Sequence, residues 1–413
     1  MLSIGECSTI VCALIPLLYC SFALIWRLST LESKPTKKDL KLLAFTIGPW
    51  IWLLLRDSGT ELSTFRQVGI PILSILLIRE TWQELIRGPI PIKQDLKKKV
   101  FVVTGANSGC GKETARMLAE WGGIVIMCCR SMSRGEAARQ DILKTTKATE
   151  SDVKLFELDL ASRDSIHKFV AIWNAAGIDR IDGLVLNAGV MLSVREETSE
   201  GVEMTMMCNH FGHFLLTHLL RPALEKTAEE HDEARIVVVS SGLHKSMSCK
   251  GLLTDPDTEL EEYGMFKAYG KSKLANMLFA HELSRQLVIA KSKVTCNSLH
   301  PGNVKTEVTR NLGPVMAFLN QLFAPFLDLF RKQPHHGAYT PVHVATSPEL
   351  KGKSGDYFVH CAPAEKSKDA DDSEAAEKLW HMSEEVVGIL ATSNGREAAS
   401  AEQECNTEDK KEK

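Results

Sequence analysis

A tyrosine and a lysine four residues apart offer a proton-transfer site. The stretch AYGKSKLAN, residues 268–276, places Tyr269 and Lys273 in a segment with a helical pattern, and residues four apart share one face of a helix. An ordinary tyrosine has a pKa of about 10, and a neighbouring ammonium stabilises the phenolate and lowers that pKa. The pair could then exchange a proton with a substrate oxygen. The alternative is a surface pair without function, and Tyr263 with Lys267 has the same spacing.

A glycine-rich loop earlier in the chain predicts a nucleotide site. The sequence TGANSGCGKETAR, residues 104–116, follows a β-branched apolar run. Gly105 permits a tight turn, Gly109 lets the backbone approach a pyrophosphate, and Gly111 lets the helix pack on the strand. The start of that helix offers unpaired N–H groups to phosphate. A tight turn that binds no ligand is the alternative interpretation.

The end of the second predicted strand favours NADP over NAD. An NAD site carries an acidic residue about 20 residues beyond the glycine loop, where it binds the ribose 2′-hydroxyl. Here the strand ends MCCRS, residues 127–131, and Arg130 stands in that place. Arginine can neutralise and bind a 2′-phosphate. A solvated loop charge is the alternative role for Arg130.

The elements that must position these residues form an alternating pattern. Runs apolar on both faces and separated by amphipathic helices predict a parallel sheet covered on both sides, in a doubly wound α/β fold. Such sheets bind ligands at the carboxyl ends of their strands. The predicted strands are Val100–Val103, Ile124–Cys128, Val153–Leu158, Gly183–Leu186, Ile236–Val239, Val294–Ser298 and Tyr357–His360.

Residues 1–95 are predicted to form a membrane-associated helical region. Thr9–Trp26 is an uncharged run of 18 residues, which predicts a transmembrane helix over residues 9–27, and the basic residues that follow place the downstream side in the cytosol. The shorter apolar segments 42–55 and 68–78 are predicted to form one of three structures: a membrane hairpin, two further spans or a helical hairpin packed on the next domain. A cleaved signal peptide, which would leave a secreted reductase, fits less well because the leading segment has Glu6 and no Lys or Arg.

Composition excludes some classes of partner. The chain has 413 residues and a net charge of -3, which gives no sign of nucleic-acid binding. Its 11 cysteines are scattered. They lack metal-ligand spacing, so we expect no metal site and reduced thiols in a cytosol-facing domain. The polar residues 393–413 are predicted to be a disordered tail.

Several motifs, taken in order, resemble the short-chain dehydrogenase/reductase family over about residues 97–392. Finer features, including CNHFGHFLLT and the long gap between Ser241 and Tyr269, are similar to the retinol dehydrogenases, with the WW-domain-containing oxidoreductase and the X-linked dehydrogenase/reductase as broader relatives. The sequence departs from the family pattern at Cys110 and Leu186. The motifs are TGANSGCG (104–111), LDLAS (158–162), LNAG (186–189), NHFGHF (209–214), VVVSS (237–241), YGKSK (269–273), HPG (300–302) and VKT (304–306).

The resemblance implies a Rossmann-type sheet of order 3-2-1-4-5-6-7 over residues 96–392, and a role for each motif residue. Tyr269 is implied to be the general acid or base, Lys273 its partner and a ligand of the nicotinamide ribose, and Ser241 a donor to the substrate oxygen. Asn209 is implied to hold a water that links Lys273 to solvent. The implied cofactor-binding residues are Gly105, Asn107, Ser108, Gly109, Gly111, Arg130, Asp159, Leu160, Asn187, Tyr269, Lys273, Pro301 and Thr306.

These features predict a membrane-anchored NADP(H)-dependent oxidoreductase. It would interconvert a lipophilic alcohol and its aldehyde or ketone, of the retinoid, steroid or polyprenoid class, at the cytosolic face of the endoplasmic reticulum or of a lipid droplet. The apolar segment 312–330 is expected to cover the substrate and dip into lipid, or to be an ordinary buried helix pair. A homodimer through the helices that bear Asn209 and Tyr269 is expected from the family. The alternative is a non-catalytic NADP-binding scaffold.

Overall fold

The computed structural model describes residues 87–254, 263–304 and 331–389. The predicted transmembrane helix 9–27, the apolar segments 42–55, 68–78 and 312–330, and the tail 393–413 lie outside these residues. Within the described ranges, none of the helices combines the length and apolar character needed to cross a bilayer.

Eight strands in the described residues form one sheet of order β3-β2-β1-β4-β5-β6-β7-β8. The first seven pair in parallel, as predicted, and β8 pairs antiparallel to β7. Predicted β7 is one residue too long, because His360 begins a turn at a φ of 53°. The strands are β1 Val100–Thr104, β2 Ile124–Cys129, β3 Val153–Glu157, β4 Gly183–Leu186, β5 Ala234–Val239, β6 Val294–His300, β7 Tyr357–Val359 and β8 Ala362–Pro363.

Helices cover both faces of this sheet. A π-helical turn, Met207–Phe211, joins the short fourth helix to the fifth. The last of the described helices ends at Val387, because Gly388 takes a left-handed φ of 76°. The helices are α1 Gly109–Glu120, α2 Met132–Thr145, α3 Arg163–Ala175, α4 Met204–Met206, α5 Gly212–His231, α6 Cys249–Thr254, α7 Met265–Ile289, α8 Pro334–Gly337, α9 Tyr339–Thr346 and α10 Ser373–Val387.

Alternate residues of each central strand enter different cores, since successive side chains of a strand point to opposite faces. Val102 belongs to the cluster that includes side chains of α3, α5, α7 and α10. Its neighbours Phe101 and Val103 belong to the cluster formed with α1, α2 and α9. In the first cluster Trp380 of α10 stacks on Phe279 of α7, with ring centroids 5.9 Å apart. Burial of apolar side chains on both faces therefore holds the sheet in place. It also sets the position of the edge at which the strands end.

That edge carries the predicted site. The glycine-rich loop follows β1, Asn187 follows β4, Ser241 lies two residues after β5, and Pro301 follows β6. The chain runs outward from β1 in both directions, because β2 and β4 are its two neighbours. This switch in direction opens the crevice in which doubly wound sheets bind ligands.

Candidate active site

The Ser241 hydroxyl and the Tyr269 phenol meet at this edge. They are hydrogen-bonded to each other, although 27 residues separate them in the sequence. Burial raises the pKa of Tyr269 to about 12, and the bond from Ser241 opposes that rise. The expected lowering of the tyrosine pKa by Lys273 is not seen in the chain alone, where burial is the largest influence. At neutral pH Tyr269 holds its proton and can donate it.

Lys273 lies beside the phenol and is itself buried. Its Nζ is 5.5 Å from the centroid of the Tyr269 ring, a cation–π distance, and donates to the Val239 carbonyl at 3.1 Å. The Ser240 hydroxyl donates in turn to the Lys273 backbone carbonyl at 2.8 Å. Burial lowers the pKa of Lys273 to about 8. The end of β5 thus holds this lysine by its side chain and by its backbone.

Asn209 joins the β4 side of the crevice to α7. Its Oδ1 accepts from the Val190 N–H at 2.7 Å, and its Nδ2 donates to the Val190 carbonyl and to Ser272 Oγ, both at 2.9 Å. Ser272 Oγ donates to the Tyr269 carbonyl at 2.8 Å. The amide is fully buried and both of its N–H groups are used, so Oδ1 alone has a lone pair to spare.

Tyr263, the competing tyrosine, makes other contacts. It precedes α7, and its hydroxyl donates to the Leu192 carbonyl at 3.1 Å and lies 3.5 Å from Thr205 Oγ1. Its partner at the same spacing, Lys267, lies in the first turn of α7. The spacing of tyrosine and lysine is therefore equal in the two pairs, but only Tyr269 meets Ser241.

The glycine-rich loop has the backbone geometry that its sequence predicts. Gly105 and Gly109 have φ angles of 67° and 56°, which favour glycine. A Cβ on Gly105 would lie 2.9 Å from Ala188 Cα, and one on Gly111 would overlap Asn187 Nδ2. These glycines let the loop close tightly on the turn after β4.

The start of α1 fits the phosphates of a dinucleotide. Ser131 and Ser162 accept side-chain capping bonds at the starts of α2 and α3, whereas Ser108 makes no such bond at the start of α1. The first N–H groups of a helix have no partner within it, so those of α1 are left to bind an anion. Gly105 of this loop packs on Ala188, and a Cβ on the next residue, Gly189, would lie 3.4 Å from Lys273 Nζ, which places the loop close to the lysine beside Tyr269.

The residues expected to surround the adenosine lie at the ends of β2 and β3. Arg130 is exposed directly after β2. Asp159 is half-buried, and its Oδ1 accepts from the Ala161 N–H at 3.0 Å, so the carboxylate shapes its own turn. Leu160 is buried, and its carbonyl packs against Gly212, where a Cβ would overlap it.

The remaining predicted cofactor residues divide into three groups. Asn107 is half-buried in the glycine loop, and Pro301 is half-buried after β6. Asn187 donates from Nδ2 to the Thr104 carbonyl at 2.9 Å, so its side chain ties two strand ends together. Thr306 lies outside the described residues.

One buried lysine was not predicted by any motif. Lys332 is 3% exposed, and its Nζ lies 2.8 Å from His360 Nδ1. Its N–H donates to the Asn303 carbonyl at 2.7 Å, and a Cβ on Gly302 would lie 2.8 Å from its Cε. Burial lowers the pKa of Lys332 to about 8. A single lysine after a long apolar segment belongs to no recognisable pattern, so sequence reasoning had no signal from which to predict it.

The geometry supports proton transfer beside a nucleotide. Two hydroxyl groups converge, one of them next to an amine, and a helix start suited to phosphate lies nearby. Within the described ranges, no cluster of three or more His, Cys, Asp and Glu side chains could hold a metal ion. The seven cysteines there are unpaired thiols.

Comparisons with known proteins agree with this geometry. The family model described as short chain dehydrogenase matches residues 99–251. Retinol dehydrogenase 14 of Mus musculus is 40% identical over 302 residues, which cover 71% of this chain and 86% of that protein. Retinol dehydrogenase 13 of Homo sapiens is 38% identical over 74% of this chain and 89% of its own length. WW domain-containing oxidoreductase of Gallus gallus is 38% identical over 74% and 71%.

Solved structures share the fold. An uncharacterized protein of Mycobacterium paratuberculosis is 30% identical with a TM-score of 0.56, over 72% of this chain and 96% of its own. A short chain dehydrogenase of Shigella flexneri, solved with NADP, has a TM-score of 0.50 at 21% identity, over 66% of this chain and 100% of its own, and shows the fold alone. With the motifs, the sheet order and these similarities together, the chain belongs to the short-chain dehydrogenase/reductase family of oxidoreductases.

Proposed function

We propose that this protein is an NADP(H)-dependent oxidoreductase that interconverts a lipophilic alcohol and its aldehyde or ketone. The observation that carries the proposal is the convergence of Ser241, Tyr269 and Lys273 beside the glycine-rich loop. In carbonyl reduction both hydroxyl groups donate to the substrate oxygen, where negative charge develops. Tyr269 then passes its proton to that oxygen, and the Lys273 ammonium stabilises the phenolate left behind. The nicotinamide cofactor, when bound, supplies or accepts the hydride.

The proton that Tyr269 gives up must be replaced, and the structure supports a route past Lys273. A side chain at Gly189 would begin 3.4 Å from Lys273 Nζ and 3.3 Å from Asn209 Oδ1. Both polar atoms therefore lie close to the Gly189 backbone, and we propose a water-sized space beside them, the relay gap, bounded by Gly189, Asn209 and Lys273. We place in it the water that links Lys273 to solvent, since the Asn209 Oδ1 lone pair can accept from that water.

The substrate class and the setting are part of the same proposal. Two of the relatives are named retinol dehydrogenases, which favours a retinoid over a steroid or a polyprenoid. The apolar segments before residue 95 and at 312–330 favour anchoring in the endoplasmic reticulum or on a lipid droplet, with the active site towards the cytosol. A homodimer through α5 and α7 stays a prediction, and it would have to use surface that α10 leaves open.

The cofactor assignment depends on the end of β2. Arg130 is exposed there, in the place where an NAD site carries a carboxylate. A guanidinium can form two hydrogen bonds to a phosphate. We therefore propose NADP(H), with the pyrophosphate at the uncapped start of α1 and the 2′-phosphate at Arg130.

Replacing Tyr269 by phenylalanine tests the reaction. We expect Tyr269→Phe to lower kcat for all-trans-retinal reduction by about a hundredfold or more, because the proton donor is lost. NADPH binding, followed by its fluorescence, should be retained. Tyr263→Phe is the matched control, since it removes the hydroxyl of the other tyrosine at the same spacing and should keep kcat near that of the wild type. Equal losses in the two variants would contradict the assignment.

A panel of retinoids, steroids and polyprenols with the detergent-solubilised wild type and NADPH tests the substrate class. Turnover of retinoids above the others is the expected result. If none of the panel is turned over while NADPH binds, the non-catalytic scaffold is favoured. If the Tyr269→Phe variant had the same biological effect in cells as the wild type, the non-catalytic scaffold would also be favoured.

The pH dependence of reduction should report Lys273. Because the pKa of this lysine is about 8, its ammonium is present below that pH and is lost above it. We expect kcat for reduction to be level on the acid side and to fall as the pH rises past about 8, since the phenolate is no longer stabilised. Lys332 has a pKa of about 8 as well, so Lys332→Gln is the control, and this variant should show the same fall in kcat above about pH 8. If the fall in kcat above about pH 8 disappeared in Lys332→Gln, the titrating group would be Lys332 and not Lys273.

Removing the Arg130 charge should change cofactor preference. Arg130→Ala is expected to weaken NADPH binding by about tenfold to a hundredfold, since a hydrogen-bonded charge on the 2′-phosphate is lost. NADH binding should change little, because NADH has no 2′-phosphate. Lys168→Ala removes an exposed charge on α3 and serves as the control. If Arg130→Ala weakened the binding of NADPH and of NADH equally, Arg130 would not be the residue that binds the 2′-phosphate.

Filling the relay gap should slow catalysis without removing any catalytic group. A methyl group in Gly189→Ala would crowd Lys273 Nζ and Asn209 Oδ1, so we expect kcat to fall by about tenfold or more, as for small misplacements in other active sites. Gly251→Ala is the matched control, because nothing lies within 4 Å of a Cβ there. A Gly189→Ala enzyme with wild-type kcat would remove the relay gap from the mechanism.

A further inference from the structure

A buried histidine in the first turn of α5 connects two parts of the site. His213 is 1% exposed. Its Nδ1 lies 3.0 Å from the Asn209 carbonyl oxygen and its Nε2 lies 2.9 Å from Thr104 Oγ1. A carbonyl can only accept a hydrogen bond, so Nδ1 carries the proton, and Nε2 of the neutral ring accepts from the Thr104 hydroxyl. Burial lowers the pKa of His213 to about 3, which keeps the ring neutral near pH 7.

The Thr104 hydroxyl extends this contact to the turn after β4. Its oxygen accepts from the Asn187 N–H at 2.9 Å and from the Ala188 N–H at 3.0 Å. These are the two residues directly before Gly189. One continuous set of hydrogen bonds therefore runs from the turn before Gly189, through Thr104 and His213, to the backbone of Asn209.

The two ends of that set adjoin two walls of the relay gap. Gly189 forms one wall and Asn209 another, and Lys273 Nζ faces both. The Asn209 wall is a π-helical turn, in which the Gly212 N–H bonds to the Met207 carbonyl five residues back. Such turns are rare compared with α-helical ones. A backbone held in this form by a side chain from the next helix keeps its register.

We propose that His213 is a positioning residue that holds the π-helical turn and the Gly189 turn at a fixed separation and so keeps the relay gap open beside Lys273. The inference rests on the proposed function, because the gap matters only if a proton passes through it. His213 does not itself exchange protons with the relay. Both of its nitrogens are already engaged in the bonds described above.

Replacing the imidazole by an apolar side chain tests this role. We expect His213→Leu to lower kcat for all-trans-retinal reduction by about tenfold to a hundredfold, as a small shift of a catalytic group does. The solvent deuterium isotope effect on kcat should rise, because proton transfer becomes slower than hydride transfer, and NADPH affinity should stay within about twofold of the wild type. A merely structural role would lower stability and cofactor binding together and leave the isotope effect unchanged.

His210→Leu is the matched control. His210 is equally buried and lies in the π-helical turn just before α5, but its Nε2 bonds to Ser383 Oγ of α10 at 2.9 Å and not to the relay gap. The His210→Leu variant should lose thermal stability as His213→Leu does, but it should keep most of its kcat. Equal losses of kcat in the two variants would overturn the proposal.

A double-mutant cycle tests whether Thr104 and His213 act as one unit. Thr104→Val removes the hydroxyl at nearly constant volume, and Thr104→Ser keeps it and should retain activity. If the two residues act through the same bonds, the double variant should be no slower than the slower single variant. Losses that multiply would show two independent effects and contradict the proposal.

A readout that does not depend on activity separates this inference from the proposed function. Lack of turnover by the wild type with every carbonyl would refute the proposed function alone. ¹⁵N NMR of histidine-labelled protein, assigned with His213→Leu, should show Nδ1 protonated and Nε2 unprotonated between about pH 5 and pH 8. A proton on Nε2, or titration of His213 within this range, would overturn the inference.

Discussion

Two hydrogen bonds between Lys273 and the end of β5 hold α7 against the sheet, and the rest of the site depends on this junction. The Lys273 amine donates to the Val239 carbonyl at 3.1 Å, and the Ser240 hydroxyl donates to the Lys273 carbonyl at 2.8 Å. Since one bond comes from the side chain and the other goes to the backbone, the helix can neither slide nor rotate freely. Tyr269 lies one turn earlier on the same helix face. Its phenol is therefore held next to Ser241, the residue after Ser240.

Burial sets the protonation states of this pair. It disfavours the charged form of each group, which raises the pKa of Tyr269 to about 12 and lowers that of Lys273 to about 8. The chain alone therefore presents a neutral phenol beside an ammonium at neutral pH, which is the state that carbonyl reduction needs. Alcohol oxidation would need the phenolate, and the positive charge of an oxidised nicotinamide, when bound, would favour it. In the proposed reaction the same residues would serve both directions, and the charge of the bound cofactor would favour one protonation state or the other.

The sequence predicts the sheet well and the electrostatics poorly, for physical reasons. Apolar runs such as Gly183–Leu186 are buried on both faces, so their pattern locates the strands, and motif spacing locates Ser241, Tyr269 and Lys273. β8 was not predicted, because Ala362–Pro363 is two exposed residues without a pattern. In the chain alone burial raises the pKa of Tyr269, and the sequence spacing indicates the neighbouring ammonium but does not show how deeply the phenol is buried.

The π-helical turn marks the limit of what the motif NHFGHF can predict. Residues three apart are neighbours on a regular α-helix, so His210 and His213 would be expected on one side. In the structure His210 bonds to Ser383 in the outer helix layer, whereas His213 bonds to Thr104 at the end of β1. The two rings therefore bond to different parts of the chain, and the Asn209 side chain bonds to Val190 and Ser272. The apolar pattern is the same for either kind of turn, so the placement of Asn209 depends on hydrogen bonds from distant parts of the chain.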